Sequence, residues 1–214
     1  MGVVLDNLDE FARGMQGTVV LTLVSFAFAF LIGLVAAGFR VSPVPPLRLV
    51  GTAYVTLVRN TPLAVLFVLF YFGFPNIGIQ YSRFVSAIII LAAYTGTFVA
   101  ETVRAGINSV AKGQAEAARA LGMTFPQAMV TVIMPQAIRT VVQPLGSIFI
   151  ALIKNSALAT IISVDNLSKS VGRIAADTAT TTPIYLGAAV AYLLLTLPSE
   201  QVVGWIERKV SIRR

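Results

Sequence analysis

The sequence has no cysteine and no histidine among its 214 residues. Disulfides, thiolate nucleophiles and imidazole-based zinc or acid–base sites are therefore excluded. Charge is also scarce. Asp, Glu, Lys and Arg together make up 12% of the chain, where a soluble domain carries about a quarter. No stretch reads Gly-x-x-x-x-Gly-Lys-Ser/Thr, so the chain does not hold ATP through a phosphate loop of its own. No apolar run carries a pair of carboxylates suited to acid–base chemistry, which argues against an intramembrane enzyme.

What is present is apolar. Hydrophobic residues make up 57%, and mean hydropathy is +0.84. This is the composition of an integral membrane protein. The net charge of +7 does not point to nucleic acid, because the bases flank apolar runs, where they set topology. The first fourteen residues carry Asp6, Asp9 and Glu10 against Arg13. A signal peptide begins basic, so the first apolar run is expected to be a retained span. Leu5, Leu8 and Phe11 before it can share one helical face.

Five spans are expected in one membrane domain covering 1–214: about 17–39, 49–74, 84–106, 135–153 and 184–206. The less apolar stretch 154–182 is expected to be partly helical and partly re-entrant. Pro62 lies inside the second run and removes a backbone donor, so a kink or break is expected there. Five spans put the two ends on opposite sides. Arg40, Arg48, Arg104, Lys112, Arg119, Arg208, Lys209, Arg213 and Arg214 collect on one side. Arg13, Arg83, Lys169 and Arg173 collect on the other. The positive-inside rule then places the N-terminus outside, and the C-terminus and the 107–134 loop in the cytoplasm.

That loop is the stretch around which the chain is organised. Residues 112–135 read KGQAEAARALGMTFPQAMVTVIMP. A helix is expected from Gln114 to Leu121, with Gly113 as N-cap and Glu116 in its first turn. Gly122 is expected to supply the left-handed residue that stops it. Ala115, Ala117, Ala118 and Ala120 would let another surface come close. Composition by itself is equally content with an ordinary loop helix.

Glu116-Ala117-Ala118, then Gly122, then Val132-Ile133-Met134-Pro135 resembles the cytoplasmic "EAA" signature of ATP-binding-cassette importer permeases. Val132 and Met134 stand where Ile and Leu are commoner. The resemblance implies an all-α type I importer transmembrane domain, with this segment as a coupling helix that docks on an ATPase subunit. Further stretches resemble the polar amino-acid permeases: Arg59-Asn60-Thr61-Pro62-Leu63, Ala93-Tyr94 through Glu101 to Ile107, and Pro144-Leu145-Gly146 followed by Lys154-Asn155-Ser156-Ala157-Leu158. Asn60 replaces the usual Gly, and Asn tolerates unusual backbone angles well. Ala157 lacks the hydroxyl commonly found at its place. The resemblance runs from about residue 15 to 206.

It implies ATPase subunits carrying ATP and magnesium, an extracytoplasmic amino-acid-binding protein, and a second permease subunit, identical or related. This chain itself would bind no cofactor, metal or nucleic acid, and would sit in a bacterial plasma membrane among lipids. Coupling would fall to Gly113, Glu116, Ala117, Ala118 and Gly122. Pathway candidates are Arg59, Asn60, Thr61, Glu101, Lys154 and Asn155.

Each pathway candidate has a plain structural alternative. Arg59 could meet a substrate carboxylate, or hold the broken helix by binding carbonyls or pairing with Glu101. Glu101 and Arg104 are spaced for a local pair. Lys154 could snorkel at a span end. Asp165, Lys169 and Arg173, four apart, read as a solvated helical face. Few acids along the pathway lean the cargo toward glutamate, glutamine or aspartate. The competing function is a stand-alone secondary transporter or channel.

Overall fold

The computed structural model describes residues 2–210, and within them the chain is almost wholly helical. Arg213 and Arg214 of the basic tail lie outside the described residues. A short helix α1 (Gly2–Leu5) leads into α2 (Leu8–Val41). The first span is thus a continuous 34-residue helix rather than one beginning at residue 17. Asp9 and Glu10 lie in its first turn, where the helix dipole favours anions. It ends at Val41, ahead of Ser42-Pro43, since the residue before a proline avoids helix.

Helix α3 (Pro45–Arg59) opens on a proline, whose fixed φ suits a first turn. At Asn60-Thr61-Pro62 the chain breaks, and α4 (Leu63–Val68) continues at 101° to α3. A π-helical turn (Leu69–Gly73) and a 3₁₀ turn (Phe74–Ile77) finish this segment, which ends on left-handed Gly78. The second apolar run is therefore broken by a sharp bend, not a mild kink.

Helix α5 (Arg83–Ser109) starts at a Ser82 N-cap whose hydroxyl accepts from the Val85 amide at 3.3 Å. Then come α6 (Lys112–Ala120), the single turn α7 (Phe125–Ala128), a π turn (Met129–Ile133) and α8 (Met134–Asn155). Little of 107–134 is loop, because the flanking span helices run on into it. A 3₁₀ segment (Ser156–Ile162), α9 (Leu167–Asp177) and α10 (Thr181–Val210) complete the chain. Among the described residues four helical stretches are long and apolar enough to cross a membrane, and a fifth is counted if the bent pair Pro45–Arg59 and Leu63–Ile77 is one span. Helices cover all five stretches expected to span, each running past its expected ends.

Small residues bring these helices together. A β-carbon on Gly33 would stand 2.4 Å from Val99 Cγ1, so α2 and α5 meet almost backbone to side chain. Tyr54 of α3 donates its hydroxyl to the Ala93 carbonyl of α5 at 2.6 Å. The buried core falls into three clusters. One joins Ala36, Ala37, Val55, Val99, Ala100 and Val103, beside the end of the bundle that carries α6. A second joins Leu21, Leu63, Phe67, Leu91, Leu152 and Ile162, beyond the break. A third fastens α9 between α2 and α10 through Phe11, Leu167, Val171, Ile174 and Ile184.

The stretch after α8 is helical in two pieces. Asn166 is fully buried and ties them. Its Nδ2 donates to the Ser156 carbonyl at 2.9 Å, while its Oδ1 accepts from Thr160 Oγ1 at 3.0 Å and the Lys169 amide at 2.9 Å. Asp165 and Arg173 are exposed and Lys169 half-buried, as a solvated face requires, but the three are tied into ion pairs. Asp165 precedes α9 and pairs with Lys169, whereas Arg173 reaches across to Glu10 of α2.

Candidate functional site

The "EAA" stretch folds as α6, nine residues long. Its start differs from the sequence expectation. Ala111 is the N-cap, and Gly113 is the second residue inside the helix. Glu116 is therefore beyond the first turn, which holds no acid. Glycine tolerates a cap position, but Lys112 and Gly113 both enter the helix, which starts at Lys112 rather than Gln114.

The far end matches expectation. Gly122 has φ +77°. Its amide donates to the Arg119 carbonyl at 2.9 Å, and the Met123 amide donates to the Ala118 carbonyl at 3.1 Å. These two bonds are the Schellman closure of a helix C-terminus. Thr124 then caps α7, with Gln127 Oε1 accepting from the Thr124 amide at 2.9 Å. The segment is a fixed-angle elbow, not a slack loop.

Of the four alanines, Ala118 is buried, Ala115 half-buried, and Ala117 and Ala120 exposed, as are Glu116 and Gly113. Beside them Leu121 is 80% exposed, Phe125 59% and Val130 70%. Sequence reasoning missed these three. Their signal was present: apolar side chains interleaved with a short polar helix that has little to bury them. Three large apolar side chains are thus left bare at and just after the end of α6.

The break in the second span uses Asn60 differently from expectation. Its φ is an ordinary −87°, so its tolerance of unusual angles is not called upon. The turn is made at Pro62, which is extended at ψ 133°. Asn60 Nδ2 instead donates to the Thr56 carbonyl at 2.8 Å, and Thr61 Oγ1 donates to the Leu57 carbonyl at 2.8 Å. The Thr61 hydroxyl thus serves a carbonyl that the broken helix leaves open, whereas the Thr56 carbonyl also accepts the Asn60 backbone amide at 3.3 Å. Arg59 does not pair with Glu101. It is exposed, and its guanidinium lies 5.2 Å from the centre of the Phe98 ring, a cation–π distance.

Glu101 binds two arginines. The Arg104 pair is the expected local one, three residues away on α5. The second partner is Arg40 at the end of α2, 61 residues away in the chain. No sequence spacing announces such a contact. Arg40 is 13% exposed and Glu101 28%. Lys154 is exposed in the last turn of α8 and Asn155 is half-buried. A cation there suits the dipole of that helix end. Arg59 thus meets an aromatic ring and Glu101 two arginines, and neither contacts Lys154.

The architecture is that of a multi-span helical membrane protein with a rigid helix held between two of its spans. Over residues 29–212 it matches the family described as binding-protein-dependent transport system inner membrane component, and the chain belongs to that family. A Bacillus subtilis (strain 168) protein, described as probable glutamine ABC transporter permease protein GlnM, is 37% identical over 210 residues, covering 98% of this chain and 97% of that protein. The Corynebacterium glutamicum glutamate transport system permease protein GluC is 36% identical over 210 residues, covering 92% of each. Among solved structures, one described as the crystal structure of an amino acid ABC transporter with histidines superposes with a TM-score of 0.91 at 34% identity, covering 96% of each chain. The fold is that of a type I importer transmembrane domain.

Proposed function

We propose that this chain is the permease subunit of an ATP-driven, binding-protein-dependent importer of polar amino acids in a bacterial plasma membrane, and that α6 is its coupling helix. The observation that carries the reading is the form of the "EAA" segment. It is a closed, fixed-angle helix between α5 and α8 that leaves Leu121 and Phe125 bare. Bare apolar side chains following a helix with exposed Lys112, Glu116 and Arg119 fit a protein partner.

The partner is an ATPase subunit that holds ATP and magnesium, since this chain has no phosphate loop. The N-terminus lies outside and α6 lies in the cytoplasm, as the distribution of bases favours. Two permease subunits, most simply a related pair, enclose the pathway, and a loaded binding protein meets them from outside. Closure of the ATPases pushes α6, and the spans tilt to exchange access. Gly113, Glu116, Ala117, Ala118 and Gly122 form the driven element.

Arg59 is the pathway residue of first rank. It is an exposed cation at a break in a span, and it meets a carboxylate that every amino acid carries. The similarity to proteins described as glutamine and glutamate permeases supports glutamine and glutamate as cargo.

The test is uptake of labelled glutamine and glutamate into proteoliposomes. Uptake that needs ATPase, ATP and loaded binding protein together is the expected result. Uptake by this chain alone would favour the stand-alone transporter.

A further inference from the structure

The inner half of the bundle is built as one lever. Helices α2, α3 and α5 share the cluster of Ala36, Ala37, Val55, Val99 and Val103. Glycines lock their contacts. A β-carbon on Gly51 of α3 would lie 2.9 Å from Phe39 Cβ, and one on Gly96 of α5 would lie 3.1 Å from the Tyr54 hydroxyl. The segment beyond the break belongs elsewhere, because Leu63 and Phe67 pack in the separate cluster with Leu21, Leu91 and Leu152. The break at 60–62 is therefore where the second apolar run passes from one packed cluster to the other, while α2 and α5 run through both.

Glu101 sits on α5 beside the first cluster, at the end nearer α6. From Glu101 to the last residue of α5, Ser109, the helix spans about 12 Å. Through Arg40, Glu101 also grips the end of α2, just before the turn that starts α3. The interlocked contacts at Gly33, Gly51 and Gly96 hold the helices in register along their middles. A charge-assisted hydrogen bond adds a directional tie. The Arg40–Glu101 bond supplies that tie at the end of α2, where it joins α2 directly to α5.

We infer that Glu101 is a positioning residue for energy coupling, not a substrate ligand. Its bond to Arg40 makes α2 and α3 follow α5 when the ATPase displaces α6, so that the displacement reaches the break beside Arg59. The inference rests on the importer reading above and assigns one step within it.

The complete complex in proteoliposomes tests it, with labelled glutamine uptake and ATP hydrolysis measured together and normalised to assembled complex. Glu101→Gln and Arg40→Gln should each lower uptake per ATP about fivefold or more, with KM for loaded binding protein unchanged. Glu101→Asp should restore most of the loss. Unchanged uptake per ATP in both Gln variants overturns the inference. So does a shift in KM confined to Glu101→Gln, which would mark a substrate contact, and so does loss of assembly with normal coupling in what remains. A wild-type complex without ATP-driven uptake overturns the importer reading itself, and this step with it.

Discussion

The Met123 amide donates to the Ala118 carbonyl at 3.1 Å, closing α6 across left-handed Gly122. A β-carbon on Gly122 would meet nothing within 4 Å. A side chain there has room, so its cost is purely one of backbone conformation. Gly122→Ala should open the elbow at a cost of about 1–2 kcal/mol. ATP-driven uptake should fall while membrane insertion stays normal. Uptake assays beside quantitative immunoblots of the membrane fraction check this, and full uptake would show that the elbow angle is immaterial.

Arg59 faces the Phe98 ring and no acid. If it receives a substrate carboxylate, Arg59→Gln should raise the substrate concentration for half-maximal uptake about tenfold or more. Phe98→Leu, which removes only the ring under the cation, should do less. Concentration-dependent uptake by both variants measures the difference.

Much of this was legible beforehand, and the pattern of success is physical. Proline at 62 and glycine at 122 act on their own backbone, so the break and the helix stop could be read locally. The spans declared themselves by apolar length. Helix starts were less legible, because Gly113 and Ala111 are both acceptable near an N-terminus and tertiary context chooses between them. The Arg40–Glu101 bond was not legible at all, since it depends on how two separate helices lie side by side. Asn60 shows the reverse case: a residue noted for backbone tolerance is used for its side-chain amide.

Asn166 is fully buried with both ends of its amide engaged. Asn166→Ala should lower stability by about 1–3 kcal/mol, because the Ser156 carbonyl and Thr160 hydroxyl lose their partner. Asn166→Asp should also destabilise, since a carboxylate cannot donate to the Ser156 carbonyl. Thermal unfolding of the detergent-solubilised complex reads both, and an unchanged melting temperature for both would contradict the knot described here.

The chain has no cysteine, so an introduced one is unique. Gln114→Cys on exposed α6 should react with a membrane-impermeant maleimide only in inside-out vesicles, and Asp165→Cys only in right-side-out ones. The opposite pattern would invert the topology and remove α6 from the reach of any cytoplasmic ATPase.

The most direct measurement is a cross-link from α6 to its motor. Ala117→Cys carrying a short photoreactive group, in the assembled complex, should join this chain to the ATPase subunit, with a yield that changes between nucleotide-free and ATP-bound states. A complex that transports but gives no such cross-link, or joins only the extracytoplasmic binding protein, would contradict the account.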